Sequence, residues 1–120
     1  MKEIIKKFSH DSEYYILEGC YINELSNTAD DPNVSIAQAR VKPGVTTQWH
    51  RLKETTERYV ILEGKGWVEI GDLAPCYVTV GDVVIIPPLC RQRITNNEQI
   101  DLVFLAICTP RFKSDVYERI

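Results

Sequence analysis

The chain has 120 residues, of which 44% are hydrophobic and 26% charged, and it carries a formal net charge of -3. That length supports one domain with a real core and no second domain, and an acidic balance excludes the basic face that nucleic acid or an anionic membrane would require of a partner. No run approaches the roughly 18 uninterrupted apolar residues of a membrane span, and the lysine-bearing N-terminus lacks a signal-peptide core, so a cytoplasmic protein is expected.

In chain order, residues 2–8 read as an arm or a short turn of helix, and residues 14–25, YYILEGCYINEL, as strand interrupted at Gly19. Residues 26–33 hold two aspartates, two asparagines and Pro32, which marks a loop. Residues 34–41 form another strand, with Ala37 and Ala39 on one face and Ile36 and Gln38 on the other. The stretch 44–64, GVTTQWHRLKETTERYVILEG, reads as a hairpin of strands 46–52 and 57–63 around the charged turn 53–56. Alternation puts Gln48, His50 and Leu52 on one face, and Glu57, Tyr59 and Ile61 on one face. Short strands follow at 67–70 and 76–80. The run 83–86 is apolar throughout, as in a strand covered on both sides, and Pro87 and Pro88 stop it. Residues 91–95 alternate so that Gln92 and Ile94 face inward, 101–108 is the most hydrophobic strand, and Pro110 precedes a short C-terminal helix.

About nine short strands with turns marked by Gly, Pro, Asn and Asp predict an all-β fold, a sandwich or barrel, with a jelly roll fitting the count. The expected organisation is a single domain over 1–120, with N-terminal strands in 1–25, a barrel core in 34–108 and a tail in 109–120. The four cysteines, Cys20, Cys76, Cys90 and Cys108, are widely spaced in apolar surroundings and read as reduced and structural, with Cys90 and Cys108 kept as candidate pocket residues.

An imidazole at His50 and a carboxylate at Glu57, both facing the interior, need partners there. Gly44, His50, Leu52, Glu57 and Gly64 stand at spacings that resemble the first motif of the cupin family, G-x5-H-x-H-x3-4-E-x6-G, with leucine at its second histidine. Gly81, Pro87, Leu89, Gln92 and Asn96 resemble the second, G-x5-P-x-G-x2-H-x3-N, with leucine at the glycine and glutamine at the histidine. The resemblance implies a double-stranded β-helix (jelly-roll) barrel. It also implies a divalent metal (Zn, Mn, Fe or Ni) held by His50, Glu57 and Gln92. Gln48-Trp49-His50 resembles the Q-x-H pattern of phosphomannose-isomerase-like cupins, which adds Gln48 to the ligand set. So partial a set suits isomerase-like or lyase-like chemistry better than oxygen chemistry, which normally takes two histidines and a carboxylate. Glu57 is the candidate catalytic residue.

The expected partner is a small molecule, anionic if one of Arg40, Arg51, Arg58, Arg91, Arg93 or Arg111 stands at the barrel mouth. Tyr59, Trp67, Tyr77 and Phe104 are candidates to line the pocket. The alternative reading is a non-catalytic barrel that binds a metabolite without metal. Apolar strand material at 14–17 and 21–25, together with Trp49 on the face opposite His50, predicts a homodimer.

Overall fold

The computed structural model describes residues 1–120. Eleven short strands follow one another along the chain. They are β1 (Tyr14–Ile16), β2 (Cys20–Ser26), β3 (Ser35–Val41), β4 (His50–Leu52), β5 (Thr56–Glu63), β6 (Lys65–Ile70), β7 (Cys76–Thr79), β8 (Val83–Ile86), β9 (Gln92–Thr95), β10 (Leu102–Thr109) and β11 (Tyr117–Arg119). They build two antiparallel sheets, one six-stranded in the order β1-β2-β3-β10-β5-β8 and one five-stranded in the order β11-β4-β9-β6-β7. The core draws Val41, Ile61 and Phe104 from the first sheet and Val68, Ile70 and Ile94 from the second, so the sheets close on each other as the expected all-β jelly roll. No helix is long and apolar enough to cross a membrane.

The structure departs from the sequence reading in four places. Strands 46–52 and 57–63 are not a hairpin, because β4 lies in the five-stranded sheet and β5 in the six-stranded one. Both carry inward residues, and two buried faces are satisfied by opposing each other across the interior rather than by lying side by side. β4 is also short, starting only at His50, with Thr46 making an isolated bridge to Thr95. β8 is an edge strand whose Val83 and Ile85 are 55% and 63% exposed, since an all-apolar run does not say whether its outer face is covered. Beyond Pro110 there is one turn of 3-10 helix, Ser114–Val116, and then β11 pairs with β4; of the two readings of residues 2–8, an arm without regular structure is the one observed.

The register of the large sheet explains where the interior is full and where it is hollow. Inward residues of β10 meet partners from β3 and β5 in rows. Leu102 faces Val41, Phe104 faces Ala39 and Ile61, Ala106 faces Ala37 and Tyr59, and Cys108 faces Ser35 and Glu57. At the Leu102 end the branched side chains of Val41, Ile61, Ile94 and Leu102 are essentially inaccessible. Gly66 lets them close, because a Cβ there would stand 2.7 Å from Ile94 Cδ1. At the Cys108 end, Ala37, Ala39 and Ala106 are too small to reach across, and a cavity of about 380 Å³ opens.

Candidate functional site

Fourteen of the 21 residues lining this cavity are hydrophobic, so its polar groups are few and their positions matter. The chemistry-bearing ones are Glu18, Glu24, His50, Glu57, Tyr59, Cys108 and Tyr117. His50 opens β4 and is buried, with its ring stacked on Tyr117 at 5.1 Å between centroids and 19° between planes. Its Nδ1 lies 2.7 Å from the Gln48 carbonyl oxygen. A carbonyl only accepts, so Nδ1 carries the hydrogen and Nε2 is left as the lone-pair nitrogen. That Nε2 lies 3.2 Å from Glu18 Oε1.

Glu18 sits in the tight turn between β1 and β2, which Gly19 makes by adopting a φ of 103°, a left-handed conformation that side chains resist. The turn is pinned to the strand ahead of His50 by a 2.8 Å bond from the Gln48 amide to the Glu18 carbonyl. Gln48 thus clamps acid and imidazole together through both of its backbone groups. Burial, then the charge of Glu57, push the Glu18 carboxyl up to about 8, while burial lowers His50 against the opposing pull of the Gln48 carbonyl. The two shifts agree on one state, a neutral carboxylic acid donating to a neutral imidazole.

Glu57 approaches from the facing sheet. Burial pushes its carboxyl up to about 7, opposed by the Gln92 amide and the Cys108 thiol. Cys108 Sγ donates to its Oε2 at 3.8 Å, and its Oε1 is buried without a hydrogen-bond partner. Gln92 is completely buried opposite His50 in the β4–β9 ladder. Its amide oxygen accepts from Tyr59 Oη, and its Nε2, the group that lowers the Glu57 carboxyl, makes no hydrogen bond of normal length. Burial raises the Cys20 and Cys108 thiols far above their ordinary range, so both are inert protonated groups at the site's edge.

His50 and Glu57 therefore line one cavity, and Gln92 lies behind it, held by Tyr59. The side chain of Gln48 is directed elsewhere, its Oε1 accepting from Arg119 at 3.3 Å. Of the aromatic candidates, Tyr59 and Phe104 line the cavity, whereas Trp67 and Tyr77 pack edge to face on each other at 4.8 Å and take no part in it. Cys90 is absent from the lining. So is every lysine and arginine. Arg40 is paired with Glu13 and Asp101, Arg51 with Glu118 and Arg93 with Glu69. Arg91 and Arg93 also lie over Trp49 at 4.8 and 4.3 Å.

The residue sequence reasoning missed is Glu18. Its signal was an acid beside a turn glycine in an otherwise apolar run. Tyr117 was missed as well, because only the β4–β11 pairing brings it to His50.

A divalent ion needs several converging donors. Nowhere does the structure group three or more His, Cys, Asp or Glu side chains so as to hold one. The His50 lone pair faces Glu18, the Gln92 oxygen is committed to Tyr59, and the Gln48 amide to Arg119. The donor set in this arrangement does not fit the metal that the resemblance implies.

A family model described as Cupin domain matches residues 37–108. Uncharacterized protein MJ1618 of Methanocaldococcus jannaschii is 30% identical over 121 residues, covering 96% of this chain and 93% of its own. Among solved structures, KdgF from Halomonas sp. superposes with a TM-score of 0.76 at 16% identity, covering 90% of this chain and 94% of that one. The nucleoside dehydratase Pac13 of Streptomyces gives 0.78 at 14% identity, over 98% and 92%. A double-stranded β-helix protein from Klebsiella pneumoniae gives 0.78 at 13%, over 97% of each chain. At such identities the solved structures speak for the fold, whereas the family model spans more than half of the sequence: the chain belongs to the cupin family.

Proposed function

We propose that this cupin binds a small organic molecule in its hollow end and moves protons on it, in chemistry of the isomerase or lyase class. The observation that carries the reading is the Glu18–His50 pair, whose tautomer is fixed by the Gln48 carbonyl, facing Glu57 across an apolar cavity. Two carboxyls whose surroundings hold them at about 8 and about 7 divide naturally into acid and base near neutral pH. Glu57 is the base, taking a proton from a substrate carbon. Glu18, its proton shared with His50 Nε2, is the acid. In an isomerisation the proton removed at one atom is replaced at another, and the protein ends with the count it began with. In an elimination Glu18 protonates a departing hydroxyl while Glu57 takes the neighbouring hydrogen, and water leaves. Likeness in fold to the dehydratase Pac13 is compatible with this chemistry.

The test is proton NMR of a panel of small hydroxy- and amino-carbonyl compounds incubated with the protein in deuterated water. Exchange or elimination should occur with the native chain and be lost in Glu57→Gln and His50→Gln. Compounds that bind in the cavity and never exchange would instead mean a binding barrel without catalysis. Elemental analysis of untagged protein reconstituted with Zn, Mn, Fe or Ni addresses the metal separately, and stoichiometric retention lost in His50→Ala would reinstate a metal centre.

We further propose a homodimer in a reducing, cytoplasmic setting. Support comes from the outer face of the large sheet, where Leu105, Val60 and Val83 stand in one row and Ile85 follows on β8 opposite Arg58, beside an open β8 edge, and from four free cysteines. Trp49, already covered by Arg91 and Arg93, lends no support to it. Light scattering that returns the single-chain mass of 13.8 kDa would reject the dimer.

A further inference from the structure

We infer that the ligand of the cavity is an organic cation, an ammonium group carried on an apolar body. The inference rests on the reading of this cavity as the ligand site, though not on its being catalytic. Three carboxyls, Glu18, Glu24 and Glu57, line the space, and no lysine or arginine does. Five aromatic rings surround them, those of Tyr14, Tyr59, Phe104, Phe112 and Tyr117. Carboxylates together with aromatic faces are the surroundings in which a desolvated ammonium is stabilised, by opposite charge on one side and by ring quadrupoles on the other.

Glu57 Oε1 supplies an independent pointer. It is a buried acceptor that makes no hydrogen bond of normal length, for the Gln92 amide lowers its carboxyl yet leaves Nε2 equally unpartnered, and an N–H donor on a cation is a stronger partner than that amide. An anion would face three carboxyls with no positive side chain to offset its desolvation. A bare metal ion would leave most of about 380 Å³ unfilled, whereas an alkyl or aryl body fits the alanine and aromatic walls.

The inference carries a proton balance. Burial raises both carboxyls, Glu18 and Glu57, with the charge of Glu57 adding to the rise at Glu18, and a cation beside them favours the ionised forms. Besides Glu24 of β2, which lines the same cavity, the groups facing them are uncharged, His50 from β4, Tyr59 from β5, Gln92 from β9, Cys108 from β10, Tyr117 from β11 and Cys20 from β2. The protons displaced on binding therefore leave to solvent.

Cyclohexylammonium, cyclohexanol and cyclohexanecarboxylate share one body and differ in charge, and calorimetric titration of the full chain at neutral pH in two buffers of different ionisation enthalpy compares them. Backbone amide shifts of Ala37 and Ala106 report binding in the cavity. Cyclohexylammonium should bind at least about tenfold more tightly than the alcohol and release protons, and the carboxylate should not shift the cavity amides. Glu57→Gln, close in shape and free of the buried acid, should bring the ammonium down to the affinity of the alcohol. Equal binding of alcohol and ammonium by the native chain overturns the cation and leaves the cavity as the ligand site. Tightest binding of the carboxylate also overturns it, and silence of the cavity amides with all three probes overturns both readings.

Discussion

The two ends of the barrel are built on the same strands with opposite results. Where Leu102, Val41, Ile61 and Ile94 meet, branched side chains fill the space between the sheets, and the buried polar side chains beside them, Asn96 and Thr47, are satisfied by the Val41 and Ile94 backbone. A few residues along the same strands, Ala37, Ala39 and Ala106 leave it open, and titratable groups enter from the turn at Glu18, from β4 and from β5. The filled end buries apolar side chains at about 1.5–3 kcal/mol each and supplies stability. The hollow end leaves that stabilisation unrealised and holds buried acids that cost stability when they ionise. The proposed site lies where the fold contributes least stability, and the filled end carries the fold.

Substitutions at the two ends should therefore behave differently. Leu102→Ala removes an inaccessible side chain from the filled end and should cost about 3 kcal/mol in urea unfolding. A cost near zero would show that this end is not the structural anchor. Gly64→Ala should come next. Gly64 adopts a φ of 79°, and a Cβ there would stand 2.7 Å from the Asp101 carbonyl oxygen, backbone that cannot swing away. A loss of about 2 kcal/mol is expected, and full native stability would contradict the strain.

The hollow end should show itself through pH. Glu18 and Glu57 sit at about 8 and about 7 against an ordinary 4.5, so the unfolded chain releases both protons at lower pH than the native chain does. Their contribution to stability is complete below pH 4.5 and lost as pH rises to about 8. His50, lowered from 6.5, acts in the other sense, its contribution complete above 6.5 and lost as pH falls. Above 6.5 only the carboxyls act, so Tm should fall by a few degrees from there to about 8, and the Glu18→Gln, Glu57→Gln double variant should lose that slope. A parallel slope in both proteins would place its origin outside this pair. The smallest effect on stability is expected for Ala106→Val, which adds methyl groups toward an empty space and should change unfolding by less than about 1 kcal/mol while weakening ligand binding. A large destabilisation would mean that Ala106 packs against something and does not border a cavity.

Much of this was legible in the sequence. The turn residues and alternation that defined short strands gave the jelly roll, and the inward parity of His50 with Leu52 and of Glu57 with Tyr59 follows from pleating alone. Pairing between strands was less legible, because local alternation is identical for neighbours in one sheet and for strands that oppose each other across a core. Gln48 illustrates the limit at single-residue scale. Alternation placed it on the His50 face, yet regular strand begins only at His50, so its side chain is free of the pleat and its backbone does the positioning. Glu18 and Tyr117 reach His50 from 32 and 67 residues away along the chain through turn geometry and strand pairing, which no local pattern encodes.

The central claim is that the fold holds His50 as a neutral imidazole, its Nδ1 hydrogen on the Gln48 carbonyl and its Nε2 lone pair turned to Glu18. Nitrogen-15 NMR of the imidazoles tests it directly, with exposed His10 as the internal control and the only other histidine. Across neutral pH, His50 should show a protonated Nδ1 and an unprotonated, hydrogen-bonded Nε2, and it should titrate below the ordinary imidazole value of 6.5. An Nε2–H tautomer, or an imidazolium at neutral pH, would contradict the account.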